Sequence, residues 1–521
     1  MAKTSLKLSI TKKEILLLGL ILLVGAFLRL YRISEHMTFL GDEGRDAIIV
    51  RRIFAELHPP LIGPGTSIGN MYLGPLYYYL MAPALLFAGF NPIGPAIMIA
   101  VLGVATIFLV WKVTSEFFGE LAAWVAATLY AVSPTVITYS RSSWNPNIMP
   151  FFALLSIYTI WRVWQKKEYK WLVTLGISFA FVLQSHYLGL LLAPILVLFW
   201  LLALLKIKNF KLTENWKLKI GNFAKYSLVG FGIFSLLMSP LVIFDARHGW
   251  QNFGALRKFF TERQITVSIR PWNAIPQIYP LFEKVNTRLI TGKNELFGRL
   301  LSLLMIGLLG MLVFSKKNRS LILKPSYLLL SLWLSFALIG LGLYKQEIYD
   351  HYYGFFFPAP FLLLGALAQE ALVIRHEGLV NKTIAYCLLP IAFTGLIVVN
   401  LKENPLRYSP NRQLQRTQEV VNKIAIESNG RNFNLAVIAE RNYEDAYKYF
   451  LLWKKKPVVD IDPQKANDTI TNQLFVVCEM EEVKCDPTHN PKAQVANFGW
   501  SKIENEWQIA GVTLYKLVHT Q

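Results

Sequence analysis

Asp42 and Glu43, followed by Arg45 and Asp46, form the stretch of this chain best suited to chemistry. A carboxylate at a membrane–water boundary is a natural general base, able to take the proton of an incoming hydroxyl. The stretch has that location because it follows directly on an apolar segment, Glu14 to Ile33, long enough to cross a bilayer at ~1.5 Å per residue. The same residues also suit a helix start. Asp42 is a favoured N-cap for a helix running from Glu43 to Leu57, and Glu43 would complement the dipole from the first turn. The two readings give Asp42 different partners, an acceptor's proton in one and a backbone amide in the other.

Cationic side chains near the ends of apolar runs form a second group. Arg141, Arg247, His248 and Lys345 could hold a phosphate, the arginines best, since a guanidinium binds two phosphate oxygens at once. Arg247 and Arg141 each follow at once on an apolar run, at head-group height, where an ordinary snorkelling anchor would also sit. Glu347, Asp350 and His351 share one short segment and could ligate a divalent metal, although the spacing matches no metal motif. His186 could ligate a metal, although a lone histidine at a helix end is more often simply hydrogen-bonded. Tyr77, Tyr78 and Tyr79 read as interfacial anchors.

The elements that must position these residues are membrane helices. Hydrophobic residues make up 54 % and charged ones 17 %; the mean hydropathy is +0.38, far from a soluble domain. Apolar runs recur at helical length, which excludes a barrel. The net charge of +20 sits largely in short inter-helix loops, where it sets topology and does not imply nucleic acid. Lys3, Lys7, Lys12 and Lys13 precede the first run with no small-residue cleavage site after it, so it reads as a retained anchor.

Spans are expected near 14–33, 94–114, 119–139, 147–165, 171–186, 188–205, 226–244, 297–315, 326–344, 354–374 and 383–400. Gly74 to Phe90 is apolar enough to be a twelfth. If it crossed, the basic loops at Lys206–Lys225 and Lys316–Arg319 would fall outside, against the positive-inside bias. Laid flat in the interface, it leaves both inside with the N-terminus and Lys166-Lys167. The sequence thus predicts 11 crossings of a plasma (inner) membrane, a cytoplasmic N-terminus and an outer face holding the chemistry-bearing residues.

Composition changes near residue 405, which divides a membrane part (1–404) from an outer α/β domain (405–521). That domain is expected to carry a helix at Gln413 to Glu427 and strands at Phe433–Ala439, Pro457–Ile461, Gln473–Cys478 and Val512–Val518. Cys478 and Cys485, seven apart on an oxidising side, are disulfide candidates. Cys387, in the last span, reads as a packing residue.

Three stretches taken in order resemble a known family. They are Gly41-Asp42-Glu43 after the first span, Gly74-Pro75-Leu76-Tyr77-Tyr78-Tyr79, and Ser140-Arg141 after the third. Together they are similar to the dolichyl-phosphate-mannose–protein mannosyltransferases and the related bacterial enzymes that transfer aminoarabinose to lipid A. Phe244-Asp245-Ala246-Arg247-His248-Gly249 and Tyr352-Tyr353 before Pro358-Ala359-Pro360 resemble bacterial members. The resemblance covers about residues 10–400. It implies glycosyltransferase family 39 and the GT-C fold, an all-α polytopic membrane protein with two juxtamembrane helices in its first outer loop. It also implies transfer of a sugar from a polyprenyl phosphate to an acceptor hydroxyl of lipid, glycan or protein, with inversion.

On that resemblance Asp42 would be the base, and Glu43 a supporting or metal contact. Arg247, Arg141, His248 and Lys345 would face the donor phosphate, and Arg45, Asp46, Tyr352 and Tyr353 the acceptor or sugar. The need for a metal stays open, with Glu43, Glu347 and His351 as candidate ligands. Two other readings share the same spans. A flippase of lipid-linked glycans would make no use of Asp42 as a base, and an oligosaccharide ligase or polymerase would move a whole glycan chain.

Overall fold

The computed structural model describes residues 11–66, 71–208, 216–261, 267–268, 270–314, 324–376 and 382–520. Each of the eleven expected spans coincides with a helix. These are Lys12–Leu30, Ile93–Phe118, Glu120–Val132 continued by Pro134–Tyr139, Met149–Lys166, Trp171–Ser185, Ala193–Lys208, Trp216–Arg247, Glu295–Phe314, Pro325–Gly342, Pro358–His376 and Lys382–Lys402. Among the described residues, five stretches are long and apolar enough to cross unaided, and a sixth forms if Asp350–Phe356 and Pro358–Ala371, bent by 61°, count as one. The rest are shorter or carry charges. Their neighbours cover them: residues of the 120–132 helix such as Ala122, Ala126, Ala127 and Leu129 are fully buried, so the bundle shields what each helix alone would not. The basic segment Lys316–Arg319 lies outside the described residues, as does the Cys387 side chain.

The doubtful segment forms the helix Leu76–Phe87. Its 12 residues span only ~18 Å at 1.5 Å per residue, against a ~30 Å hydrocarbon core. It packs beside a second short helix, Gly41–Ala55. These two helices fill the connection between the first and second long apolar helices.

The helix Gly41–Ala55 starts two residues earlier than the cap reading expects, with Leu40 at the N-cap. Glu43, not Asp42, satisfies the first turn: its Oε2 accepts the Leu40 N–H at 3.0 Å. Asp42, two positions too deep to cap, is released for other partners.

The C-terminal domain is a four-stranded sheet, β1 (Asn434–Ile438), β2 (Gln473–Cys478), β3 (Ser501–Ile509) and β4 (Val512–His519), in the order β1-β2-β4-β3. β1 and β2 are parallel, and the other pairs antiparallel. Every residue of β1 and β2 is buried, which makes them readable as apolar runs. β3 is an edge strand, mostly exposed, and its polar sequence hides it from such a reading. Pro457–Ile461 contributes only the bridge of Val458 to Phe433. The unforeseen helix Asp445–Trp453 follows β1. Cys478 and Cys485 are joined as a disulfide, with Cα atoms 6.2 Å apart.

This domain docks on the 41–55 helix through close backbone contacts. A methyl group at Gly41 would overlap the Tyr443 ring, and one at Gly44 the backbone of Asp445 and Ala446. Polar contacts hold the same seam. Phe39 N donates to Gln413 Oε1 (3.0 Å) and Gly41 N to Asn442 Oδ1 (2.8 Å). The two glycines of Gly41-Asp42-Glu43-Gly44 are thus explained by the approach of residues more than 400 positions along the chain.

Candidate active site

Asp42 opens into a cleft of about 180 Å³. Its floor and walls come from Arg45, the 64–66 and 144–146 segments, and four rings: His186, Tyr187, His351 and Tyr352. Trp144 packs on His351 with centroids 4.7 Å apart, and His186 lies 5.9 Å from His351. Faces of this kind suit the C–H side of a sugar ring. The volume is below the ~300–1,000 Å³ of most small-molecule pockets, so the cleft suits one reacting group.

One oxygen of Asp42 is pinned and the other is open. Oδ1 accepts from Arg45 Nη1 at 2.9 Å and from the Tyr443 hydroxyl at 2.8 Å. Among the described residues Oδ2 has no hydrogen-bond partner, and the side chain is 43 % exposed. An oriented carboxylate with one free oxygen is what proton abstraction requires.

Arg45 lines the cleft and also supports this arrangement, whereas Asp46 lies buried behind it. Arg45 bridges the two acids, donating through Nη2 to Asp46 Oδ1 at 2.8 Å. Asp46 is 0 % exposed and also accepts from the Tyr78 hydroxyl at 3.1 Å. Tyr77 donates to or accepts from Ser143 Oγ at 2.6 Å. Tyr77 and Tyr78 are therefore core residues of the site's underside, not interfacial anchors. Burial pushes the Asp46 carboxyl up to about 6 despite the opposing Arg45 charge.

Burial likewise raises Glu43 from its ordinary 4.5 to about 7, against the pull of its amide hydrogen bonds. The sign of the stability effect follows. Between these values the folded state keeps a proton that the unfolded chain releases, so Glu43's contribution is complete below 4.5 and is lost as pH rises through 7. Glu43→Gln keeps an acceptor for Leu40 N–H and cannot ionise. Its melting temperature in detergent should fall less across that window than the wild type's and exceed it above pH 7. A variant less stable than wild type at every pH would refute the burial-raised titration of Glu43.

The remaining sequence candidates are dispersed. Arg141 follows the third span as expected but is 1 % exposed. It donates to the carbonyls of Leu28 (2.8 Å) and Tyr31 (2.7 Å) at the end of the first helix, where orphan carbonyls and the dipole favour a cation. That commitment removes it from the donor-phosphate set. Arg247 and Lys345 are exposed. His248 stacks on Phe244 with centroids 4.0 Å apart. Tyr352 lines the cleft, whereas Tyr353 is fully buried and cannot touch an acceptor.

The expected metal cluster is split. Asp350 pairs with Arg288, Nε to Oδ1 at 2.8 Å, and lines a second cleft of about 800 Å³ with Glu347. His351 points into the first cleft. Glu43 is engaged under the helix start. Among the described residues no three His, Cys, Asp or Glu side chains converge as a metal site, so these candidates do not fit together as ligands.

Tyr443 and Asn442 are site residues that sequence reasoning missed. They are 401 residues from Asp42 and Gly41, their respective partners, and nothing local marks them.

Residues 73–233 match the dolichyl-phosphate-mannose-protein mannosyltransferase family. Two Bacillus subtilis proteins provisionally named mannosyltransferases, YkcB and YycA, are 24 % and 26 % identical to the chain, each over 37 % of its length. The matches span only 27 % and 28 % of those relatives. ArnT from Cupriavidus metallidurans, bound to undecaprenyl phosphate, superposes with a TM-score of 0.56 at 13 % identity, over 96 % of this chain and 97 % of that one. The oligosaccharyltransferase AglB of Archaeoglobus fulgidus, in complex with an inhibitory peptide and a dolichol-phosphate, gives 0.52 at 15 %, over 89 % and 69 %. The chain therefore has the GT-C fold seen in ArnT and AglB, and its residues 73–233 are similar to the dolichyl-phosphate-mannose-protein mannosyltransferases.

Proposed function

We propose that the chain is a membrane glycosyltransferase that moves a sugar from a polyprenyl-phosphate donor to an acceptor hydroxyl on the extracytoplasmic face. The observation that carries this reading is Asp42, which lines a ring-walled cleft while two donors hold its Oδ1 and no described residue bonds its Oδ2. Oδ2 takes the acceptor's hydroxyl proton, the acceptor oxygen bonds to the sugar's anomeric carbon, and the bond from that carbon to phosphate breaks. Polyprenyl phosphate leaves with the electron pair, and the anomeric centre inverts.

An apolar, lipid-facing groove of about 480 Å³ supports a long-tailed donor. It lies between the 171–185, 193–208 and 216–247 helices, with Gly176, Phe179, Trp200, Gly230, Phe231 and Phe234 on its walls. The third of these helices ends at Arg247, ~20 Å beyond Phe234 at 1.5 Å per residue. Arg247 and His248 would meet the phosphate there. Two solved relatives in fold, ArnT and AglB, hold undecaprenyl phosphate and a dolichol-phosphate. The acceptor class, whether lipid, glycan or protein, belongs to the same proposal, as does the orientation drawn from the basic inner loops.

Purified protein in sealed proteoliposomes of known orientation would be given a panel of polyprenyl-phosphate sugars. Release of polyprenyl phosphate, read by mass spectrometry, should occur with at least one donor and only when the acceptor is supplied on the face bearing the C-terminal domain. Movement of intact donor between leaflets without release would replace the proposal with the transport reading.

A further inference from the structure

The Tyr443 hydroxyl reaches Asp42 from the opposite end of the sequence. It sits in the turn after β1, and that turn is tied down at several points. Asn442 Oδ1 accepts from Gly41 N (2.8 Å) and from Tyr443 N (2.9 Å). Its Nδ2 donates to Glu479 Oε1 at 2.6 Å, where the Tyr447 hydroxyl also donates at 2.6 Å. Arg416 pairs with the other Glu479 oxygen at 3.3 Å. Glu479 itself follows β2, inside the loop closed by Cys478 and Cys485. Burial and the nearby carboxylates outweigh Arg45 and hold the Tyr443 hydroxyl protonated, so it remains a donor.

We infer that the C-terminal domain completes the catalytic centre, with Tyr443 as a positioning residue that fixes the carboxylate of Asp42. The inference rests on Asp42 being the base. Arg45 alone leaves that carboxylate free to swing about a single contact. The second donor, arriving from another domain at 2.8 Å, selects one rotation and keeps Oδ2 turned to the cleft. Arg45 Nη1 also lies 3.3 Å from the Tyr443 oxygen, which closes a three-membered set of mutually oriented groups. Sets of this kind lose more than pairwise contacts when broken. Occupancy of the seam by the C-terminal domain would then be a condition of turnover, and not only of stability.

The test is a double-mutant cycle in the full-length protein. Tyr443→Phe keeps the ring over Gly41 and removes only the hydroxyl. Its kcat should fall about tenfold, the worth of one hydrogen bond to a charged group, with donor KM and melting temperature unchanged. In the Asp42→Asn background the same change should cost nothing further, because the group being positioned is already inert. Gly41→Ala, whose methyl displaces the Tyr443 ring, should lower kcat in the wild type but not in Tyr443→Phe. Equal losses in both backgrounds, or an unchanged kcat in Tyr443→Phe, would overturn the positioning role. Near-normal turnover in Asp42→Asn alone would instead strike the proposed base, a result read separately in the single variant.

Discussion

Asp42→Asn should fold, bind donor and lose transfer by roughly 10²–10⁴-fold, the usual contribution of a general base. The structure makes this a sharper test than the sequence allows. Had Asp42 been the N-cap, Asn would have replaced it with little change. Capping belongs to Glu43, whose Oε2 holds the Leu40 amide, so the helix start is untouched in the variant. An asparagine oxygen can still accept from Arg45 and Tyr443, as Oδ1 does at 2.9 and 2.8 Å. The amide nitrogen then occupies the place of Oδ2 and cannot take a proton. Single-turnover release of polyprenyl phosphate measures the chemical step, and retention of labelled donor on the purified protein measures binding. Turnover near wild type, at matched expression, would end the case for Asp42 and shift attention to the acids of the second cleft, Glu347 and Asp350.

Gly44→Ala should cost transfer about 10²-fold although residue 44 touches neither donor nor acceptor. The added methyl would meet the backbone of Asp445 and Ala446, which cannot rotate aside as a side-chain tip can. The 440–446 turn has to retreat by about an ångström, and displacements of that size at a supporting element are enough for such a loss. Tyr443 and Asn442 ride on the same turn, so the hydroxyl leaves Asp42 and the Gly41 amide loses its acceptor. Gly19→Ala is the matched control, since a methyl there, on the first membrane helix, meets nothing within 4 Å. Protease sensitivity of the C-terminal domain should rise in Gly44→Ala and not in the control. A wild-type rate with unchanged protease resistance would show that the domain seam tolerates the shift and that the motif's second glycine has another purpose.

The membrane architecture was legible in the sequence because it depends on quantities that sum locally. Transfer of about twenty apolar residues, the ~1.5 Å rise of a helix and the cost of moving a lysine across the bilayer are each decided within one segment. They predict eleven helices, and they predict that the 76–87 helix lies beside the bundle's outer end without crossing it. They also place the acid pair after the first span. Side-chain direction is another matter.

Asp42 and Asp46, four apart on one helix, look equivalent by spacing; packing of Tyr78 and Arg45 leaves the first 43 % exposed and the second at zero. Arg141 and Arg247 both follow a span end, yet the neighbouring end of the first helix offers two carbonyls to Arg141 alone. Glu347, Asp350 and His351 are adjacent in sequence, but the 3₁₀ turn at Asp350–Phe356 and the Arg288 pair send them into different clefts. β3 reads as polar loop because an edge strand exposes both faces to water. Tyr443 left no trace at all, since its partner lies 401 residues away and a long-range hydrogen bond imposes no local periodicity. The sequence by itself determined the succession of apolar helices and the place of the acids after the first of them. Which acid is free to react was decided only by tertiary contacts, because burial and donor geometry are properties of neighbours brought together from distant parts of the chain.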